Sequence, residues 1–152
     1  MSVSEAVDQK QKRELWKIRH LMGTLRVAVD AAKRDRDAVF DMERDAARTR
    51  EAQADLWESA MFLEDRIQAA EDTWRFLRIE ITLAQEYLES EESKRWLSED
   101  QVKQAHVARE CERLLWEIRS CKLAVSAVVK EADKKVQYLL EKEMAQEEGC
   151  EE

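Results

Sequence analysis

The chain has 152 residues and a net charge of −8, with 44% hydrophobic and 39% charged side chains. It has no proline and only two glycines, so it lacks the residues that a β-rich or α/β domain needs for its many tight turns. The apolar content is too high for a wholly disordered chain, and strong helix formers dominate the rest, so an all-α fold is predicted.

Three apolar stripes follow one another along the chain, with hydrophobic residues at the spacings of three and four that are typical of amphipathic helices. Because the three predicted helices have similar lengths, they favour an elongated antiparallel (up-down-up) three-helix bundle or coiled coil. The helices are predicted to cover residues 4–47, 52–92 and 98–146.

The boundary between the first two helices carries no glycine or proline. Residues 43–55 lack a large apolar side chain, so a helix there would have little to bury, and a turn is predicted near Arg48–Ala52. The alternative keeps residues 4–92 as one helix of an oligomeric coiled coil. The seam of that coil would be weak at the boundary, so the bundle is preferred. The seam would contain Val39, Ala46, Gln53 and Ala60.

The third helix has a clearer start than end. Ser98 and Gln101 follow the polar run 89–96 and form the pattern of a capping box. Its apolar stripe then fades into an acidic C-terminus. We therefore predict a single helical-bundle domain over residues 1–146 and an acidic flexible tail over residues 147–152.

Charge is distributed unevenly along the chain. Residues 1–50 carry 12 basic and 9 acidic side chains, net +3, whereas residues 51–100 carry 5 and 14, net −9. A basic helix followed by an acidic one suggests that the two pack against each other. The chain as a whole is acidic, which argues against binding to nucleic acid.

A second apolar stripe lies on the opposite side of each helix from the first. With Ile18 of the first stripe at zero on a helical wheel, Trp16 lies about 160° away. The pattern R-x-L-W-x-I-R at residues 13–19 recurs at residues 113–119, by internal duplication or by convergence on one packing solution. In an up-down-up bundle these stripes lie at the same end. The candidate interface residues are Trp16, His20, Gly23 and Val27 in the first helix, Phe76, Leu83 and Tyr87 in the second, and Trp116 and Leu123 in the third.

This Trp-rich surface has two interpretations. It is an interface for a second copy or a partner helix, because monomers rarely expose large apolar patches. Alternatively, it belongs to a wide interior in which each helix touches two neighbours, and residues 74–88 have the all-round apolar pattern of a fully buried helix. Gly23 favours the interface, since a glycine within a helix costs about 1 kcal/mol relative to alanine and is kept where another backbone comes close.

No motif in the sequence specifies a chemistry. A ferritin-like di-metal site needs Glu-x-x-His on two helices, whereas lysines precede His20 and His106 by three residues. No Cys-x-x-Cys pair, phosphate-binding glycine loop or nucleophile elbow occurs. Cys111 and Cys121 are ten residues apart on one predicted helix, too far for a disulfide. No catalytic residue, cofactor or metal is predicted, and the chain is not expected to be an enzyme.

The expected location is the cytoplasm, with the nucleus as the alternative. No apolar run approaches the roughly 20 residues of a transmembrane helix, and the N-terminus has no secretory signal. We predict a non-enzymatic structural or protein–protein interaction (scaffold or assembly) module that associates with itself or docks a partner helix. The alternative is an exchangeable bundle that binds lipid or membrane surfaces, which the acidic second and third helices disfavour.

Overall fold

A computed structural model describes residues 2–89 and 97–150 of the chain. These residues form three α-helices and no strand, which confirms the predicted all-α three-helix bundle. The backbone leaves the helical conformation between the first two helices, so residues 4–92 do not form one continuous helix. The helices are α1 (Val3–Asp45), α2 (Arg50–Glu89) and α3 (Leu97–Cys150).

The C-terminus of α3 differs most from the predicted helix ends. The helix was predicted to end at residue 146 but continues to Cys150. The apolar stripe does fade there, yet alanine, glutamine and glutamate are strong helix formers and extend a helix that is already nucleated. The loss of an apolar stripe therefore marked the end of burial and not the end of the helix.

A capping box begins α1. The backbone N–H of Glu5 donates to Ser2 Oγ at 3.2 Å, and Glu5 Oε2 accepts from the backbone N–H of Ser2 at 3.4 Å. These reciprocal bonds satisfy two donors that the first turn of a helix otherwise leaves unpaired. The side chains of the capping box predicted for α3, Ser98 and Gln101, lie outside the described residues.

The turn at residues 46–49 is stabilised by two polar side chains at its α2 end. Thr49 is the N-cap of α2, since its Oγ1 accepts from the backbone N–H of Ala52 at 3.2 Å. The side chain of Gln53 reaches back, and its Nε2 donates to the carbonyl oxygen of Ala47 at 3.2 Å. Glycine or proline commonly occurs in such a turn. Here the N-cap Thr49 and the hydrogen bond from Gln53 stabilise it instead.

The described residues fall into two compact units, and every helix contributes to both. Unit 1 comprises residues 1–29 and 69–118, and unit 2 comprises residues 30–68 and 119–152. Each unit has its own core of fully buried aliphatic side chains. In unit 1 this core contains Ile18, Met22, Leu25, Val29, Leu77, Ile81, Leu114 and Ile118; in unit 2 it contains Val39, Leu56, Leu63, Ile67, Val125 and Val128.

Polar contacts define the helix directions in unit 2. Lys122 Nζ donates to Gln68 Oε1 at 2.9 Å, and Ser126 Oγ donates to Glu64 Oε2 at 2.8 Å. Residue numbers rise along α3 as they fall along α2, so these two helices are antiparallel. The short turn at residues 46–49 also makes α1 antiparallel to α2, which gives the predicted up-down-up order in this unit.

The ion pairs between helices do not simply follow the net charges of the segments. In unit 2, Asp35 of α1 pairs with Arg66 of α2 at 2.8 Å, so here the acid comes from the basic segment. In unit 1, Arg26 of α1 pairs with Glu110 of α3. Net segment charge therefore does not predict which charges meet, because each contact depends on the local register of the helices.

Candidate interaction surface

The outer side of α1 in unit 1 carries apolar side chains in contact with water. Trp16 is 65% exposed and Val27 is 69% exposed. The ring of Trp16 stacks on that of His20, with 5.2 Å between centroids and 4° between planes. These residues lie opposite Ile18, which is buried. Together with Gly23 they form what we call the outer stripe of α1.

Gly23 leaves an open site in this stripe. A Cβ atom built at this position would meet nothing within 4 Å. No backbone of the described chain therefore approaches Gly23 closely enough to require a glycine. The predicted close approach stays a prediction for a partner outside the chain, and the gap between Trp16 and Val27 is open to solvent.

The outer stripe of α2 consists of Phe76, Ile79 and Leu83, and all three side chains are more than half exposed. The apolar pattern of residues 74–88 had suggested a helix buried on every side. It is not, because Leu77 and Ile81 fill the core while the three outer residues face water. Tyr87 lies in α2, but its side chain is outside the described residues.

The predicted interface residues of α3 are more exposed than the large apolar ones of α1 and α2. Trp116 and Leu123 are both 75% exposed. Trp116 belongs to unit 1, whereas Leu123 belongs to unit 2. The predicted site residues with described side chains are thus on the surface, but they do not all belong to one unit.

The outer stripes of unit 1 lie on three different helices. Each stripe lies opposite the buried side of its own helix, and the three buried sides share one core. The outer sides of α1, α2 and α3 therefore face away from one another. Helix geometry therefore favours a separate exposed strip on each helix, and the single Trp-rich face that the helical wheels suggested stays a prediction.

Charged residues without partners flank two of these strips. Arg13 and Arg19 lie on either side of the α1 stripe, and Glu80 and Glu86 lie on either side of the α2 stripe, at helical-wheel offsets of roughly 50° to 70°. Within the described part of the chain, none of these four side chains forms an ion pair. The two strips therefore have similar apolar centres and opposite charges at their edges.

A paired charge lies beside the α1 stripe in unit 1. The guanidinium of Arg26 donates two hydrogen bonds to the carboxylate of Glu110, which also pairs with Arg113. The hydrogen bond from Arg26 is the main reason why the pKa of Glu110 lies below its ordinary value. This fork joins α1 to α3 and leaves Arg26 less available for other partners.

Two cysteine residues of α3 have buried thiols that are poor nucleophiles. Cys111 and Cys121 are buried, and they are not bonded to each other, as their spacing predicted. Burial raises the pKa of the Cys111 thiol to about 11, and burial likewise raises the pKa of Cys121. Trp74 Nε1 donates to the carbonyl oxygen of Cys111 at 2.8 Å. Neither thiol has the low pKa of a nucleophilic cysteine.

Unit 2 contains a cavity of about 410 Å³ beside the α1–α2 turn, lined in part by Tyr138 and Leu139 of α3. Gln53 also lines it and is 4% exposed. Its Nε2 is bonded to Ala47, but its Oε1 is buried and has no hydrogen-bond partner. The sequence pattern that places Gln53 at a core position was the available signal for this feature.

Among the side chains described in residues 2–89 and 97–150, no group of three or more histidine, cysteine or acidic residues is placed to hold a metal ion. Within the same residues, no helix is long and apolar enough to cross a membrane.

Comparisons with known proteins add no relative to this description. No protein-family model matches the chain, and neither a curated protein nor a solved structure is significantly similar to it.

Proposed function

We propose that the protein is a non-enzymatic interaction module that binds a second copy of itself or another protein through the outer stripes of unit 1. The observation that supports this most directly is the exposure of Trp16, Phe76 and Trp116, one large aromatic on each helix, opposite well-packed cores. Aromatic residues of this kind dominate the binding energy of protein interfaces. Burying apolar surface is worth about 25 cal/mol per Å², so each aromatic contributes substantially when a partner covers it.

The proposal excludes a role for these residues in stabilising the isolated chain. Their contacts with the rest of the protein are few, since more than half of each side chain is exposed. Substitution by a polar residue should therefore leave the fold intact while removing the ability to associate. This separation of stability from binding makes the proposal testable.

The test compares two triple variants with equal charge changes. The first carries Trp16→Glu, Phe76→Glu and Trp116→Glu. The matched control carries Gln9→Glu, Thr24→Glu and Thr82→Glu, at exposed positions of α1 and α2. Solution mass is measured by light scattering under reducing conditions. Contacts are measured in cells that produce the chain, by photo-crosslinking from a benzoyl-phenylalanine placed at position 27.

The expected result is that the first variant loses both self-association and the position-27 crosslinks while the control keeps them. Circular dichroism must show the same helix content in both variants. If the first variant retains the wild-type mass distribution and the wild-type crosslinks, the outer stripes are not an interface and the proposed function is wrong.

A further inference from the structure

We propose that the occupant of the α1 stripe is the α2 stripe of a second copy of the chain. This inference rests on the proposed function and specifies its partner. The contact joins Trp16, Gly23 and Val27 of one copy to Phe76, Ile79 and Leu83 of the next. It is an interface between two different surfaces.

Charge favours this pairing over contact of either stripe with itself. The stretch 12–27 carries five basic side chains and one acidic side chain, whereas the stretch 72–86 carries three acidic and two basic ones. An α1–α1 contact places Arg13 and Arg19 near their own copies, which is repulsive. An α1–α2 contact instead places them near Glu80 and Glu86, which form no ion pair with the described residues.

The shapes of the two stripes also favour contact between α1 and α2. Packed helices approach to about 8–10 Å between axes, and small residues allow the closer distances. Gly23 provides an open position between the larger Trp16 and Val27. The α2 stripe has no glycine and presents three large side chains, so a residue such as Ile79 fits the gap at Gly23.

Geometry then determines the kind of assembly. The α1 and α2 stripes lie on different sides of unit 1, so one copy cannot satisfy both of its stripes with a single neighbour. Each contact leaves one free α1 stripe and one free α2 stripe at the ends of the complex. Such head-to-tail contacts extend into a chain or close into a ring, and a symmetric dimer is excluded.

The experiment uses two variants that each disable one stripe. Trp16→Glu removes the α1 surface and Leu83→Glu removes the α2 surface. Each variant alone is expected to run as a single chain of 17.9 kDa. An equimolar mixture retains one intact α1 stripe and one intact α2 stripe, so it is expected to form a complex of two chains and no larger species. Masses are measured by sedimentation velocity over a range of concentrations.

Two controls sharpen the result. Phe62→Glu changes a similarly exposed aromatic residue of unit 2, outside both stripes, and should leave the wild-type mass distribution unchanged. Arg19→Glu should weaken association by roughly 5-fold or more, and Glu80→Arg in the other chain should restore it. The rescue requires the two stripes to pair. If Arg19→Glu only reduced solubility or folding, a substitution in the other chain would not restore association.

The inference is overturned if the wild-type chain remains a single chain at every concentration, or if the mixture stays monomeric. It is also overturned if Leu83→Glu remains dimeric while Trp16→Glu does not, because this outcome indicates α1–α1 contact. Crosslinks from position 27 to other proteins would then still support the proposed function, so the two failures are distinguishable.

Discussion

Units 1 and 2 use the same three helices but keep different side chains on their surfaces. In unit 1 the large exposed hydrophobic residues repeat at helical spacing, as in the α2 stripe at Phe76, Ile79 and Leu83. Unit 2 exposes large hydrophobic residues too, but they are scattered. They are Phe40, Met42, Phe62, Leu123, Tyr138 and Met144.

The helices of the two units are also joined differently. In unit 2, uncharged partners take part in the contacts between α2 and α3, as in the bonds of Lys122 to Gln68 and of Ser126 to Glu64. In unit 1 the contacts between α2 and α3 include the ion pair of Arg78 with Glu112 and the bond from Trp74 to a backbone carbonyl. The comparison shows that a bundle can bury a core in two units while large apolar side chains repeat at helical spacing on the surface of only one of them.

Core truncation is expected to have the largest effect and to be similar in the two units. Leu25→Ala in unit 1 and Leu63→Ala in unit 2 each remove a fully buried side chain, so each should lower the free energy of unfolding by about 3 kcal/mol. Trp16→Ala should change it by less than about 1 kcal/mol, because the ring is mostly exposed. Urea unfolding followed by circular dichroism measures all three. A large loss for Trp16→Ala would mean that the outer stripe stabilises the chain itself.

Alkaline pH should weaken unit 1 through Cys111. Burial raises the pKa of this thiol from 9.0 to about 11, so the folded state favours the neutral thiol. The resulting stabilisation is complete below about pH 9 and is lost as the pH rises through the folded pKa. Between pH 8 and pH 11 the unfolding free energy of the wild type should fall by about 2 kcal/mol more than that of Cys111→Ala.

Cys121 is a buried cysteine in unit 2 and allows a comparison with Cys111. Burial and the charge of Asp37 raise the pKa of its thiol, but two nearby cations, Arg36 and Lys33, favour the thiolate, whereas only Arg78 does so at Cys111. Cys121→Ala should therefore remove a smaller part of the alkaline dependence than Cys111→Ala does. Equal effects from the two variants would show that the environments of the thiols do not differ as described.

Loss of the α2 cap should destabilise unit 2 by a moderate amount. Thr49→Ala removes the acceptor for the N–H of Ala52, which typically costs about 1 kcal/mol. Thr49→Asp keeps an acceptor and should retain most of the stability. Hydrogen exchange of amides in the first turn of α2 reports the change locally. Unchanged protection in Thr49→Ala would show that the cap does not stabilise the turn.

The Arg26–Glu110 fork should contribute the least. Glu110→Gln is expected to cost about 0.5–1 kcal/mol at neutral pH, since partly exposed ion pairs are weak. The pKa of Glu110 is lowered in the folded state, so its contribution is present above about pH 4.5 and is lost as the pH falls through the folded value. Asp35→Asn, which breaks a more exposed pair in unit 2, is the control and should cost less. If the difference in unfolding free energy between wild type and Glu110→Gln stays constant from pH 7 to pH 3, the ionised Glu110 does not stabilise the fold.

The helices and the inner stripes were predictable because each depends on local properties. Helix propensity and the spacing of residues such as Ile18, Leu25 and Leu77 are visible in the sequence, and these side chains are buried in the structure. The turn was predicted within a few residues because the region around it lacks apolar side chains. Its stabilising contacts were not, since the bond from Gln53 to Ala47 depends on how the backbone turns.

The candidate surface was predictable in content but not in arrangement. Helical spacing correctly identified Trp16, Phe76 and Trp116 as lying away from the inner stripes, and they are exposed. It could not tell whether three outer stripes form one surface. That depends on the directions in which the helices bury their inner sides.

The sequence by itself therefore determined that the chain is all-α, where its helices lie and which side of each helix is buried, because these follow from propensity and periodicity along one helix. Only the tertiary structure decided which charges pair, and where a polar atom such as Gln53 Oε1 is left without a partner among the described residues. These properties depend on the register and rotation of helices relative to one another, which arise from contacts between residues distant in sequence.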